Sequence, residues 1–150
     1  MDLFKMFTIS GAGMTAQRSR MGVISGNLAN TETTRTPEGG PYRRRDVIFQ
    51  AAPLADDFPD LLNDNALELP GRLLSVQVVG IKESSRPPRQ LFDPTHPDAN
   101  ANGYVSLPNI NVMEEMVDLL SAVRSYEANL TAYNATKSLV RRLLDIGRTA

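Results

Sequence analysis

The strongest pattern lies toward the C-terminal end of the chain. Val112, Met116, Leu119, Val123, Tyr126, Leu130, Tyr133, Lys137, Val140 and Leu144 recur alternately four and three residues apart, and Lys137 alone is polar. Such spacing places side chains on one face of a helix and predicts a heptad seam. Ala128, Ala132, Ala135, Leu139 and Leu143 widen the stripe beyond the needs of a two-helix contact. A helix of about 35 residues at ~1.5 Å per residue extends roughly 50 Å, too long to be enclosed by a domain of this size. Its ends are marked. Pro108 precedes it, Asn111 and Glu114 have capping-box spacing, and Gly147 is a candidate C′ residue. Arg141, Arg142 and Arg148 suit the negative end of the helix dipole.

A weaker pattern of the same kind opens the chain: Leu3, Phe7, Met14, Met21, Ile24 and Leu28, with Ser10 and Gln17 as small and polar exceptions. Gly11, Gly13, Gly22 and Gly26 lie within it, each costing about 0.5–1 kcal/mol relative to Ala in a helix. This helix is therefore predicted to form poorly alone and to admit a close neighbour where it does form. The stretch between the two helices is different. Nine prolines precede Pro108, and strand-like runs occur at 42–49 and 73–81, where Leu74, Val76 and Val78 share a face. Residues 51–69, rich in Asp, Asn and Pro, read as a loop or short helix. The fold expected is mainly α with a small β insertion. An N-terminal assembly helix occupies 1–30, a linker and irregular β-rich insertion 31–108, and a C-terminal assembly helix 109–150, the two helices pairing as a coiled coil.

Composition narrows the chemistry. The 150 residues include no Cys, no Trp and one His, which removes disulfides, thiol catalysis, Cys-based zinc and His-rich metal sites. A net charge of −1 gives no general drive toward nucleic acid or an anionic membrane. The charge is nonetheless segregated: +4 over residues 1–45, −5 over 46–111 and 0 over 112–150. Opposed patches of this kind favour register between neighbouring subunits. No apolar run approaches the roughly 18 residues of a membrane helix. Asp2 and Lys5 interrupt the first apolar stretch, so no cleaved secretory leader is expected.

Several local motifs suggest chemistry and then fall short of it. Asp98, Asn100, Asn102 and Gly103 match the opening of a calcium loop, but Asn109 stands where the bidentate carboxylate belongs and prolines precede the loop. Side-chain turns explain the run more simply. His96 between Asp93 and Asp98 reads as loop structure. Asn129 and Asn134 fit a glycosylation pattern but lie inside the predicted helix. Gly11-Ala-Gly13 lacks the preceding strand of a dinucleotide loop. Arg43, Arg44 and Arg45 are expected as a charged strand edge or a salt-bridging patch toward an acidic neighbour, and Glu114, Glu115 and Asp118 as a solvated helix face. No nucleophile, base and orienting group occur together, so neither an enzyme nor a bound cofactor or metal is expected.

The segments flanking the helices carry a resemblance. Asn27-Leu28-Ala29-Asn30, followed by Gly39-Gly40-Pro41-Tyr42, is similar to a signature of bacterial flagellar rod and hook proteins. At the other end His96-Pro-Asp-Ala-Asn100, Gly103-Tyr-Val105, Pro108-Asn-Ile-Asn111, Glu115-Met-Val-Asp118 and Tyr126-Glu127-Ala128-Asn129 resemble the C-terminal signature of that family, in the right order. The short chain and the long Thr33–Arg44 stretch look most like a proximal-rod member. The resemblance implies a structural subunit of the basal-body rod that stacks helically in the periplasmic space and transmits torque. It implies export by the flagellar type III apparatus without a cleaved leader. The implied partners are copies of itself, other proximal- and distal-rod proteins, neighbouring basal-body components and the export apparatus. Neither nucleic acid binding nor membrane insertion is expected. The competing readings are another proximal-rod paralogue and, from a different class, a coiled-coil adaptor or export chaperone.

Overall fold

A computed structural model of the chain describes residues 3–54 and 73–149. Helix α1 covers Leu3–Ala29 and helix α2 covers Val112–Thr149. Among the described residues four strands lie between them: β1 (Arg45–Pro53), β2 (Leu74–Glu83), β3 (Arg89–Phe92) and β4 (Tyr104–Leu107). They form two separate two-stranded sheets, β1 with β2 and β3 with β4. The first is antiparallel, as the bonds from Ser84 N–H to the Arg44 carbonyl and from Leu54 N–H to the Leu73 carbonyl show. The second is antiparallel with Arg89 opposite Leu107 and Phe92 opposite Tyr104. The architecture is thus two long terminal helices around a small β middle.

Local chemistry explains the boundaries. Asn111 caps α2 through its side-chain oxygen, which accepts from Met113 N–H at 3.1 Å, while its carbonyl accepts from Glu115 N–H. Acids in the first turn suit the positive end of the helix. The other end departs from expectation. Gly147 lies inside α2, has no positive φ and is not a C′ residue, because the backbone continues helically to Thr149. At the end of α1, Asn30 Nδ2 donates to the Gly26 carbonyl at 2.8 Å and Thr31 Oγ1 to the Leu28 carbonyl at 2.7 Å. Side chains there add to the backbone bonds that the same carbonyls accept from Asn30 and Thr31 N–H.

The strand reading was close for β1 and β2, although Tyr42 to Arg44 precede β1 and Leu74 is exposed where Val76 and Val78 are half-buried. The hairpin of β3 and β4 has no counterpart in the sequence pattern. All four β3 residues are exposed, so no alternation marks the strand, and β4 is only four residues long with Val105 and Leu107 buried. Most of the stretch 51–69, read as loop or short helix, lies outside the described residues, while residues 51–53 belong to β1.

The chain divides into two compact units. One comprises Met1–Arg18, Phe49–Val79 and Val123–Ala150, the other Ser19–Ile48 and Gly80–Ala122. In the first, Phe7 packs edge-on to Tyr133 with ring centroids 4.9 Å apart, and Ser10, Gly13, Ala16 and Thr136 are buried. In the second, the buried apolar residues are Ile24, Val105, Leu107, Pro108 and Ala122. Among the described residues fully buried apolar side chains are few, and none is aromatic.

Candidate assembly interface

The second unit contains a buried polar lock built on Asn27. Its side chain is 0% exposed and uses all of its hydrogen-bonding capacity. Nδ2 donates to the Arg45 carbonyl at 2.8 Å and to Glu115 Oε2 at 3.0 Å. Oδ1 accepts from Arg45 N–H at 2.9 Å and from the Tyr42 hydroxyl at 3.2 Å. One amide therefore ties α1 to the entry of β1 and to the first turns of α2. Gly39 and Gly40, with φ of 91° and 80°, form the turn that brings Tyr42 back toward α1, closed by Thr36 N–H on the Gly40 carbonyl at 2.8 Å.

Charge completes the lock. Glu115, 0% exposed, receives Arg44 Nε on its other oxygen. Arg44 also reaches Asp46 and, at 3.8 Å, Asp118, whose Oδ1 is held by Arg20 at 3.0 Å. Burial works against the Arg44 charge, but the hydrogen bond and charge of Glu115, aided by Asp46 and Asp118, outweigh it and raise the pKa. For Tyr42, burial raises the pKa; Arg45 opposes the shift, and Glu83 and Glu115 add to it. The hydroxyl donates to Asn27 Oδ1. Two sequence readings are corrected here. Glu115 is not part of a solvated face, and Arg44 is not a strand-edge charge, because each satisfies the other in the interior.

Along α2 the residues at the centre of the inward face, flanked by half-buried Asp118, Val123 and Ser125, are Glu115, Leu119, Ala122, Tyr126, Asn129, Tyr133, Thr136 and Val140. They keep the alternating four and three spacing, yet half of them stand one residue before the apolar stripe read from sequence. Leu119, Tyr126, Tyr133 and Val140 belong to both sets and are half-buried, as is Val123. Val112, Met116, Leu130 and Leu144 are 36%, 47%, 40% and 69% exposed. Met116 and Leu130 follow inward residues by one position, about 100° of rotation, and so lie toward the outer side, whereas Val112 and Leu144 are exposed near the two ends of the helix. The reason is on α1. Gly13 is buried against Asn129, where an added Cβ would stand 2.8 Å from Oδ1, and Asn129 Nδ2 is fixed on the Ser125 carbonyl at 2.9 Å. Small and polar side chains occupy the close approach, and bulky apolar ones are displaced outward.

On α1, Ile24 is buried and Leu3, Phe7, Met14, Met21 and Leu28 are half-buried. Gln17, half-buried, has its Oε1 enclosed without a hydrogen-bond partner among the described residues. Of the signature residues, Asn27 makes the lock, Asn30 caps α1 and Asn129 meets Gly13, whereas Ala29, Glu127 and Ala128 are exposed. Leu28, Pro41 and Tyr126 are half-buried. Sequence reasoning missed Glu115 and Arg44 as partners because 71 residues separate them.

The loop between β3 and β4 uses most of its polar groups internally. Asn100 Oδ1 accepts from Asn102 and Tyr104 N–H, and His96 Nδ1 from Asp98 N–H. Asp98 Oδ2 accepts from the Thr34 hydroxyl at 2.7 Å. Asp93 Oδ1 accepts from Thr95, and those hydrogen bonds lower its pKa. Gly103, with φ of 80°, closes the loop. This is the network of side-chain turns that the calcium-like spacing left as the simpler reading, and no metal-ligating cluster occurs among the described residues.

Two terminal helices joined by a small β middle, with signature asparagines at their contacts, define a rod-type subunit, and comparison with known proteins agrees. The family model described as flagellar basal body rod FlgEFG protein C-terminal matches residues 101–146. The chain is 45% identical to the flagellar basal-body rod protein FlgC of Borreliella burgdorferi, over 97% of this chain and 98% of that protein. It is 43% identical to FlgC of Bacillus subtilis, over 99% and 100%, and 38% identical to FlgC of Salmonella typhimurium, again over 99% and 100%. The chain belongs to the FlgC family of flagellar basal-body rod proteins.

Proposed function

We propose that the chain is a structural subunit of the flagellar basal-body rod that stacks helically through its terminal helices and transmits torque, with no catalytic role. Family membership supports the rod assignment, and the observation that carries the mechanism is the apolar side of α2. Met113, Met116, Val117 and Leu120 in one unit and Leu139, Leu143, Leu144 and Ile146 in the other are all exposed. Large apolar clusters exposed at this density mark surfaces that other chains cover. The expected interface comprises Leu3, Phe7, Met14, Met21, Ile24, Leu28, Val112, Met116, Leu119, Val123, Tyr126, Leu130, Tyr133, Val140 and Leu144, with the helices paired as a coiled coil. Neighbours are further copies and the other proximal- and distal-rod proteins. Glycine-weakened α1 suits a chain carried unfolded through the flagellar type III export apparatus, without a cleaved leader, to the periplasmic rod.

Leu130→Asp tests this reading. Leu130 is 40% exposed, so the free chain should keep its circular dichroism. Burying an unpaired carboxylate between subunits costs several kcal/mol, so incorporation into basal bodies and swimming should be lost. Normal swimming by cells carrying only the Leu130→Asp chain would contradict it.

A further inference from the structure

Two cavities open on the unit formed by residues 19–48 and 80–122, and Arg43 lines both. The larger, about 460 Å³, is walled in part by Arg35, Tyr42, Arg43, Arg45 and the acids Glu38 and Glu83. The smaller, about 100 Å³, adds Arg86 and no acid. Glu83 is already engaged: its Oε1 accepts from Arg45 Nη2 at 2.9 Å, and Arg45 lies 5.5 Å over the Tyr42 ring. Arg44 is turned inward onto Glu115. Arg35, Arg43 and Arg86 remain exposed without an acidic partner among the described residues, and only Glu38 offsets them. The surface carries cations in excess of its own acids.

We infer that this arginine-lined surface docks carboxylates of a second copy of the chain. The inference rests on the rod-subunit reading and gives it a specific contact. Guanidinium forks match planar carboxylates. The adjoining glycine turn adds no backbone donors from Thr36 or Gly39 for a phosphate, because their N–H groups are bonded to the Gly40 and Thr36 carbonyls. The chain itself supplies complementary charge: residues 46–111 carry −5. Within that stretch Asp46, Glu83, Asp93 and Asp98 are engaged internally. Five further acids fall by sequence at Asp56, Asp57, Asp60, Asp64 and Glu68. Arginine surface and acidic stretch are different parts of the chain, so a heterologous contact that repeats along a helical stack is open to them.

Sedimentation velocity of the full chain at low salt tests the contact. The wild-type chain should self-associate, and added salt should weaken the association. Arg35→Glu/Arg43→Glu and, separately, Asp56→Lys/Asp57→Lys/Asp60→Lys should each lose self-association by at least about tenfold. Mixing the two variants should restore it, because each then meets the opposite charge. Arg35→Gln/Arg43→Gln provides a milder variant should the reversal disturb folding, and should act in the same direction. A wild-type chain that stays monomeric, either reversal associating as wild type, or a mixture that fails to recover would overturn the docking contact. Basal-body fractions separate this from the broader reading. Wild-type chain present there with the docking contact overturned leaves the rod role standing; its absence there removes that role.

Discussion

At the scale of single residues, the Asn-Leu-Ala-Asn signature separates into distinct tasks. Asn27 is fully enclosed and satisfied by four contacts, whereas Asn30 closes the helix a turn later. Asn27→Leu would leave Glu115 Oε2 and the Arg45 backbone groups without their partner, each unsatisfied group costing about 1–3 kcal/mol. Urea unfolding of the full chain should show a loss of about 3 kcal/mol or more, on that scale. The glycines of α1 likewise differ. Gly22 meets nothing within 4 Å, so Gly22→Ala should stabilise the free chain by about 0.5–1 kcal/mol. Gly13→Ala should destabilise it by about 1–3 kcal/mol through overlap with the Asn129 amide, and adding Asn129→Ala should recover part of that loss. A simple helix-propensity effect would move both glycine variants the same way.

At the scale of elements, the long helices were legible because their apolar residues repeat over many turns. The seam itself was less so. Periodicity finds the stripe of large apolar residues, but the close approach at Gly13 selects Ala122, Asn129 and Thr136 as inward residues, and that selection depends on a partner 116 residues away in the chain. Four-residue strands such as β3 and β4 leave too little pattern to detect. The glycine count has a consequence for the free chain. The outer parts of α1 and α2 share the Phe7–Tyr133 ring contact and small buried residues, while residues 19–29 and 112–122 hold the Asn27–Glu115–Arg44 lock. Hydrogen exchange on dilute protein should therefore find protection in the latter segments and rapid exchange in residues 3–18 and 123–149. Uniform, full protection of both helices would remove the case for ordering on assembly.

At the scale of the whole molecule, α2 has 38 residues, about 57 Å at ~1.5 Å per residue, with large apolar side chains exposed near both ends. The absence of cysteine and the sparse buried apolar set suit a chain that completes its packing with neighbours. Charge segregation, visible only when the total of −1 is divided along the sequence, points the same way. The family relationship makes the chain a flagellar basal-body rod protein. A density map of basal bodies from cells carrying this chain as their sole copy tests the account most directly. It should show α1 and α2 within the rod wall, with Met116, Val117 and Leu120 and, farther along, Leu139, Leu143 and Leu144 covered by adjacent subunits. A rod in which those side chains face solvent, or which lacks this chain altogether, would contradict it.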